Sequence, residues 1–335
     1  MGSYLKNWAM LLGACLLLFL FDRFAFWALN GFWQNLILLA GINMVAALGL
    51  NLTNGYCGQF SLGHAGFMAI GGYATAFFTM MFAWPEWMLT FPHPEFPIVF
   101  PISLILGGVL AAAAGLLVGI PSLRLKGDYL AIATLGFGEI VRVFLVNFEY
   151  MGAARGQTNI PQYSNFFWVY SIVLISTVVI LNLIRSSPGR AIISVREDEL
   201  AAEVMGVWTV YYKVAAFLLG AFFAGVAGGL LGHLLTILTP EKFNFVLSIE
   251  IVVIVVVGGM GSTSGVLLAA VLLTALPELL RFTSGAASIP GLSLLGEPSM
   301  RMILYSLMMI FLMIYRPKGL CGNKEIWELW GRKSS

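Results

Sequence analysis

The sequence contains few charged residues and few cysteines. Charged side chains make up only 10% of its 335 residues, whereas soluble domains carry about 25%. The cysteines Cys15, Cys57 and Cys321 are too few and too scattered for a disulfide framework or a metal site. The net charge of +2 arises without a long basic run, so no nucleic-acid partner is expected. These shortages argue against a soluble domain, a disulfide-rich module and a nucleic-acid-binding protein.

Motifs that carry chemistry are also missing from the sequence. Histidine and cysteine do not cluster at metal-ligand spacing, paired carboxylates do not flank a serine, and no phosphate-binding loop precedes a helix. We therefore predict no enzymatic activity, no catalytic residue, no metal site and no cofactor in this chain.

Apolar residues, in contrast, are abundant. They make up 59% of the sequence, and the mean hydropathy is +0.90. A membrane-spanning helix needs about 20 such residues, because it must cross about 30 Å of hydrocarbon. We predict an all-α polytopic membrane protein, a single domain over residues 1–335 with a bundle of about 8–10 transmembrane helices. The qualifying segments are residues 8–28, 33–53, 65–83, 98–120, 129–147, 166–184, 213–238 and 302–315.

One further apolar tract, residues 246–280, is interrupted by GGMGSTSG at 258–265. It forms either two short spans or a re-entrant hairpin, and either case gives an even number of crossings. With the N-terminus inside, the inner segments hold twelve lysines and arginines and the outer segments hold four. Because positive charge favours the cytoplasmic side, we predict that both termini are cytoplasmic. The run near the N-terminus is interpreted as a retained helix and not as a signal peptide.

Small residues recur at every fourth position in two of the predicted spans. This spacing places them on one helix face, where backbones can approach closely. We interpret both rows as helix-packing faces, and a pore-lining or subunit-contacting role is the alternative. The rows are Gly107, Ala111, Gly115 and Gly119 in one span, and Gly220, Ala224, Gly228 and Gly232 in the other.

Two glycine-rich interruptions are candidates for broken helices. Backbone that leaves a helix at membrane depth must face protein or a water-filled cavity, and many transport sites are built this way. The first is NGYCGQFSLGHAG at 54–66 and the second is GGMGSTSG; an ordinary interfacial turn is the alternative for each. The polar side chains that we predict to line a translocation path here are Asn54, Gln59, Ser61, His64, Ser262 and Thr263.

Two ionisable residues lie inside a predicted span. Glu139 and Arg142 are three residues apart, on one helix face, where they can neutralise each other. A buried structural pair is one interpretation, and a lining of the translocation path is the other.

Seven charged residues are concentrated in GRAIISVREDELAAEVMGVWTVYYK, residues 189–213. Ser194 precedes Glu197 by three residues, as in a capping box, and Gly206 stands where a helix would end. We predict one helix over roughly 195–205, with a polar stripe opposite an apolar one. The polar stripe is Arg196, Glu199 and Glu203, and the apolar stripe is Leu200, Val204 and Val207. A solvated helix without any partner is the alternative.

This stretch resembles the cytoplasmic coupling segment of permease subunits of bacterial ABC importers, specifically the branched-chain amino-acid permeases of the LivM type. Further blocks agree in order along residues 30–320. They are LGLNLTNGYCGQFSLGHAGFMAIGGYATA (48–76), LRLKGDYLAIATLGFGEIVRVFLVN (123–147), GQTNIP (156–161), VVIVVVGGMGSTSGVLLAAVLLTALPELLR (252–281) and YRPKGL (315–320).

The resemblance implies a location in the bacterial inner membrane, in contact with lipid, and a set of partner proteins. These partners are a second homologous permease, two cytoplasmic ATPases that bind Mg-ATP, and a periplasmic or lipid-anchored amino-acid-binding protein. The coupling segment, about residues 185–213, would dock on an ATPase, and a cytoplasmic tail would follow from 316 to 335. The residues of the coupling segment that match the family are Arg196, Glu197, Asp198, Glu199, Ala201, Ala202, Glu203 and Gly206.

The sequence departs from the general importer pattern at one position, because Leu200 stands where that pattern has glutamate. The individual role of Glu199, one residue earlier, is therefore open. An importer for urea, amides or other amino acids is an alternative, and so is an ion-coupled secondary transporter with Glu139 as its coupling carboxylate.

Overall fold

The structure is a computed structural model that describes residues 18–19, 22, 26, 29–81, 98–122 and 127–285, with 306–307, 310–311, 313–316, 318–322 and 325. The predicted spans 8–28 and 302–315, the segment 84–97 between two predicted spans and the predicted tail 316–335 lie wholly or partly outside these residues. All regular elements of the described part are helices, and one isolated bridge pairs Gln157 with Leu238. The predicted all-α fold class is confirmed.

Ten α-helices make up the described part of the chain. In order they are α1 (Gly31–Leu50), α2 (His64–Met81), α3 (Val99–Ser122), α4 (Asp128–Asn147), α5 (Phe166–Arg185), α6 (Ser187–Glu197), α7 (Glu199–Val204), α8 (Thr209–Leu235), α9 (Phe245–Gly258) and α10 (Thr263–Gly285). Short 3-10 turns cover Glu149–Met151, Ala153–Arg155 and Pro240–Phe243.

The six spans predicted between residues 33 and 238 correspond to α1 to α5 and α8. Five helical stretches of the described residues are long and apolar enough to cross a membrane: Gly31–Tyr56, Val99–Ser122, Tyr129–Asn147, Phe166–Arg185 and Thr209–Leu235. The helix α8 begins four residues before the predicted boundary, so Lys213 lies within it. Long apolar runs thus predict these helices correctly. In lipid such a run must be helical, because a helix satisfies its backbone hydrogen bonds within the segment.

Helices α2, α3 and α8 form the centre of the bundle, and α1 packs against α8 on another side. The small-residue rows serve this packing, as predicted, and all eight of their residues are buried. The two rows do not pack against each other, however. The row of α8 faces α1 and α2, where Gly220 adjoins Gly49 and Gly228 adjoins Met68. The row of α3 instead meets α8 at Ala221 and Gly225.

The first interruption begins as a widened helix. Residues Asn51–Tyr56 continue α1 as a π-helix, and an irregular stretch over 57–63 then leads into α2. Hydrogen bonds still satisfy part of this backbone, because Cys57 N donates to Leu52 O (3.1 Å) and Gln59 N donates to Thr53 O (2.9 Å). The break predicted at 54–66 is therefore present, although helical structure extends three residues beyond the predicted end of the span.

The second interruption separates α9 from α10. The chain reverses over residues 259–262, and Gly258 packs against the backbone of Val266. Helix α9 has 14 residues and rises about 21 Å, less than the hydrocarbon thickness, whereas α10 has 23 residues. The tract 246–280 is thus a helical hairpin made of one short and one long helix.

We expect Gly71 to be required for the contact between α2 and α8. A Cβ atom at this position would lie 2.1 Å from Gly225 Cα, so Gly71→Ala must push the two backbones apart. Overpacking of this kind costs about 1–3 kcal/mol. The temperature at which the purified protein loses its monodisperse gel-filtration peak should fall.

The matched control is Gly136→Ala on α4, where a Cβ atom would meet nothing within 4 Å. This substitution should leave the same temperature unchanged or raise it, because alanine favours a helix by about 1 kcal/mol over glycine. Equal stability of Gly71→Ala and the unmodified protein would contradict the proposed contact.

Candidate functional site

The predicted coupling segment, about residues 185–213, contains two short helices before α8 and not the single predicted helix over 195–205. Helix α6 starts after Ser186, whose side chain accepts a hydrogen bond from Gly189 N (3.4 Å), and Pro188 occupies its first turn. The predicted capping box at Ser194 is wrong, since Ser194 Oγ donates to Ala191 O (2.9 Å) inside α6. Asp198 separates the helices because its extended backbone, with φ of −156°, cannot continue a helix.

Helix α7 is short but capped at both ends. The Asp198 side chain accepts from Ala201 N (3.0 Å), which satisfies one of the free donors of the first turn. At the other end, Gly206 adopts a φ of +85°, and Val207 N donates to Ala202 O (3.0 Å). This arrangement is a Schellman motif, which confirms Gly206 as the C-terminal cap.

Two residues of the predicted polar stripe, Glu199 and Glu203, bind the start of α8. Glu199 forms an ion pair with Lys213 of α8 (2.7 Å), and Lys213 is buried. The Thr209 hydroxyl donates to Glu203 Oε1 (2.7 Å), and Ala202 is buried beneath the helix. These contacts attach α7 to the start of α8. The coupling segment is therefore held against a core helix and is not a freely solvated loop.

The apolar side of α7 is exposed. The exposed fractions of Leu200, Val204, Met205 and Trp208 are 68%, 86%, 82% and 73%. We call these four residues the apolar ridge. The acidic residues Glu197, Asp198 and Glu203 lie beside the ridge and are also exposed. The described chain thus presents an apolar surface with an acidic border on this segment.

Arg196 points the other way, towards the transmembrane helices. Its Nη2 atom pairs with Glu197 Oε1 (2.5 Å), while its Nη1 atom donates to the carbonyl oxygen of Gly55 (3.0 Å) in the π-helix. A guanidinium can donate to both acceptors at once because its donors are fixed in a planar fork. Arg196 therefore joins the coupling segment to the first interruption.

The path candidates of the first interruption are mostly engaged inside the chain. Ser61 N donates to Asn54 Oδ1 (3.1 Å), and Asn54 Nδ2 donates to Ser61 O (3.4 Å). The His64 ring nitrogen Nε2 lies 2.9 Å from Ala46 O and is buried. Only Gln59 among these four has a partly exposed side chain. The buried side chains of Asn54 and His64 and the backbone of Ser61 thus make hydrogen bonds at the break, and a path role for the four residues stays a prediction.

The candidates of the second interruption make contacts with the first. Thr263 Oγ1 lies 2.7 Å from the Tyr56 hydroxyl. The buried Asn51 side chain accepts from Gly261 N (2.9 Å) and donates to Ser262 O (3.4 Å). The two interruptions, which are about 200 residues apart in sequence, therefore form one hydrogen-bonded unit beside the coupling segment.

Glu325 completes this unit and was not identified from the sequence. Its carboxylate accepts from Thr263 N and Ser264 N (both 2.9 Å) at the first turn of α10. It also accepts from the Tyr56 hydroxyl (3.2 Å) and the Ser264 hydroxyl. A carboxylate is stabilised at a helix N-terminus by the free backbone donors.

The charge of Glu325 persists at physiological pH. Burial acts to raise its pKa, but the hydrogen bonds from Ser264 and Thr263 outweigh burial and lower the pKa below the ordinary 4.5. Because the folded pKa is the lower one, this stabilisation is fully present above pH 4.5 and is lost only as the pH falls through the folded value.

Glu139 and Arg142 form the predicted ion pair on α4. Arg142 Nε donates to Glu139 Oε2 (2.7 Å), and about a third of each side chain remains exposed, at 32% and 31%. Glu139 lies eleven residues after Asp128, about 16 Å along the helix axis. The pair is therefore neither fully buried nor at a helix end.

A narrow cleft adjoins Glu139, between α2, α4 and the start of α9. Its polar lining includes Asn244 and Ser248, and Ser248 Oγ accepts from Ala65 N (2.9 Å). Glu250 follows on α9 with an exposed side chain. We call the exposed side of α4 with Glu139 and Arg142, next to the start of α9, the α4–α9 face.

Comparisons with known proteins agree on one family. Residues 32–313 match the family described as branched-chain amino acid transport system / permease component. The high-affinity branched-chain amino acid transport system permease protein LivM of Salmonella typhimurium is 37% identical over 314 residues, 83% of this chain and 67% of that protein. The LivM protein of Escherichia coli K12 is 37% identical over 317 residues, 84% of this chain and 68% of that protein.

A more distant relative is the probable LivM permease of Methanocaldococcus jannaschii. It is 24% identical over 326 residues, 87% of this chain and 93% of that protein. No solved structure matches the chain. The family model spans most of the sequence, and two relatives exceed 30% identity over more than four fifths of it.

These matches confirm the predicted transport role. The chain is a multi-pass membrane subunit of a transport system and not an enzyme, and it acts with further transporter subunits. A cofactor in this chain is not expected for such a subunit. The chain belongs to the family of permease components of branched-chain amino-acid ABC transport systems.

Proposed function

We propose that this chain forms half of the translocation path of an ATP-driven importer for leucine, isoleucine and valine. A second homologous permease would supply the other half, and two cytoplasmic ATPases would bind and hydrolyse Mg-ATP. A periplasmic or lipid-anchored binding protein would deliver the substrate. The names of the relatives support this substrate class, and the exposed apolar ridge on α7 is the observation that carries the proposal.

The apolar ridge is the docking surface for an ATPase. Four large apolar side chains in water are unfavourable, so a partner should cover them. The membrane surface is the competing occupant, but Glu197, Asp198 and Glu203 border the ridge. Anionic lipid headgroups attract basic segments and would repel this acidic border. A protein groove with an apolar floor and basic edges fits the ridge better.

Contacts behind the ridge supply the mechanical link to the bundle. The Glu199–Lys213 ion pair and the Thr209–Glu203 hydrogen bond fix α7 to the start of α8. Since α8 packs against α1, α2 and α3, movement of α7 with a closing ATPase would tilt a core helix. The partner contact would thus come from the apolar ridge, whereas two of the matched acidic residues, Glu199 and Glu203, hold the segment to α8.

This assignment requires the coupling segment to be cytoplasmic, with both termini on the same side. The distribution of lysine and arginine supports that orientation. Tail residues agree with it, because Leu320 N donates to Val257 O (2.8 Å) and Glu325 binds the turn beside the coupling segment.

The second permease would cover the α4–α9 face. Ionised side chains at membrane depth are costly against lipid and usually face a bundle interior or a water-filled cavity. Glu139 and Arg142 are only partly covered by their own chain. A lipid-facing helix would not retain these groups. The α4–α9 face therefore fits a path between two permeases, where passing amino acids also carry charge.

We expect Val204→Asp to reduce ATPase binding. The new carboxylate would be buried unpaired in an apolar contact, which costs more than the roughly 1.4 kcal/mol of a tenfold change. Co-purification of the ATPase with the tagged permease should fall by at least about tenfold.

The control is Tyr150→Asp, which changes a residue that is 82% exposed on the loop after α4, at the predicted outer side. It should leave ATPase recovery unchanged. If Val204→Asp retained the ATPase but lost affinity for lipid vesicles, the membrane would be the occupant of the ridge.

We expect the combined change Glu139→Leu and Arg142→Leu to lower uptake of radiolabelled leucine into proteoliposomes by at least about tenfold. The physical reason is that two leucines would make a water-lined surface apolar. If the pair instead faced lipid, the same change should be neutral or stabilising, because buried ion pairs often contribute less than apolar replacements.

The matched control changes exposed apolar neighbours on α4, Ile140→Leu and Val143→Leu. It should preserve uptake. Unchanged uptake in both double variants would remove the α4–α9 face from the path.

The whole proposal is tested by reconstitution of the permease pair with its ATPases and binding protein. Leucine, isoleucine and valine should each stimulate ATP hydrolysis and enter the vesicles. Stimulation by urea or an amide, or uptake by this chain alone under an ion gradient, would overturn it.

A further inference from the structure

We infer that Arg196 is a positioning residue that transmits movement of the coupling segment to the turns at 55–58 and 259–262. This inference rests on the proposed function and adds a second mechanical route to it. The first route runs from α7 into α8 through the Glu199–Lys213 pair. The second runs from α6 through Arg196 into both interruptions and does not pass through α8.

The contacts of Arg196 carry the argument. Its Nη1 atom donates to Gly55 O (3.0 Å), which belongs to the widened end of α1. A Cβ atom on Gly261 would lie 2.7 Å from the same nitrogen, so the guanidinium also lies against the second turn. A Cβ atom on Gly58 would lie 2.9 Å from Arg196 Cγ. One side chain thus contacts backbone of both interruptions.

The two turns are themselves joined, so a displacement of one would displace the other. Asn51 accepts from Gly261 N (2.9 Å) and donates to Ser262 O (3.4 Å). On the far side, Glu325 binds Thr263 N and Ser264 N. Residues 51–58, residues 259–264 and Glu325 therefore move as one unit, and Arg196 is the side chain that connects this unit to α6.

A charged donor is the suitable group for this position. Backbone that leaves a helix needs replacement hydrogen bonds, and a charged donor makes stronger ones than a neutral donor. Glu197 binds the outer edge of the guanidinium and restricts its rotation. A contact can contribute to a conformational change only if its strength differs between the two states. The Arg196–Gly55 bond is the contact that we expect to differ.

The test uses the complete complex in proteoliposomes, with uptake of radiolabelled leucine and ATP hydrolysis measured on the same sample. Arg196→Gln should reduce leucine transported per ATP hydrolysed by at least about tenfold. ATPase subunits should still co-purify, because the apolar ridge is unchanged. Arg196→Lys should recover part of this ratio, since an ammonium can donate to Gly55 O but cannot bind Glu197 with the same fork.

Two further variants separate positioning from a general effect of charge or folding. Arg190→Gln removes an exposed arginine from the same helix, whose contact is with Arg185 O (3.4 Å), and should leave the ratio unchanged. Asn51→Ala removes two of the hydrogen bonds that join the turns, while Arg196 and the Tyr56–Thr263 contact stay intact. It should lower the ratio in the same direction as Arg196→Gln does.

An unchanged ratio in Arg196→Gln would overturn the inference while the importer assignment stood. Failure of both Arg196 variants to assemble, with Arg190→Gln assembling normally, would show a merely structural role and would also overturn it. If the unmodified chain neither recovered an ATPase nor supported uptake, the proposed function itself would fail.

Discussion

The need to satisfy backbone polar groups where helices are interrupted determines the most distinctive part of this protein. Water can hydrogen-bond to such groups only where it reaches them. The backbone of an interruption in the membrane therefore needs hydrogen-bond partners from the chain itself. Here the π-helix at 51–56 and the turn at 259–262 supply partners to each other through Asn51. Arg196 and Glu325 supply the remaining charged donors and acceptors. The interruptions are stable because they occur together.

Much of the fold was predictable because membrane helices are marked by composition. The apolar runs located α1 to α5 and α8, and small residues at every fourth position indicated their packing faces. Local spacing also predicted the Glu139–Arg142 pair and the Gly206 cap. Each of these features depends on residues close in sequence. The packing partners of the small-residue rows were not predictable, because they depend on how the helices are arranged.

The helix boundaries and the exposed side of the coupling segment were predicted less well. Ser194 and Asp198 both suit a helix cap, and the choice depends on where α6 begins, which Ser186 and Pro188 determine. The acidic residues suggested a charged docking face, yet Lys213 attracts Glu199 inward and exposes the opposite, apolar side. Lys213 lies within α8 and fourteen residues away in sequence. Glu325 is more distant still, about sixty residues from its partners Thr263 and Ser264.

The placement of the charged residues suggests how an apolar chain can fix some helices to each other and still let its turns follow a movement of the coupling segment. Ion pairs at Glu199–Lys213 and Glu139–Arg142 join neighbouring side chains, whereas Arg196 and Glu325 bind backbone. The Glu199–Lys213 pair joins two helices and resists their displacement, whereas the Glu139–Arg142 pair lies within α4. A charged group bound to a turn would follow the turn in the proposed movement. Because helices in lipid gain little from hydrophobic attraction to each other, polar contacts carry more of the specificity. In the proposed mechanism, Arg196 and the Glu199–Lys213 pair therefore lie where helices would move relative to one another, and small residues hold the helices that would remain together.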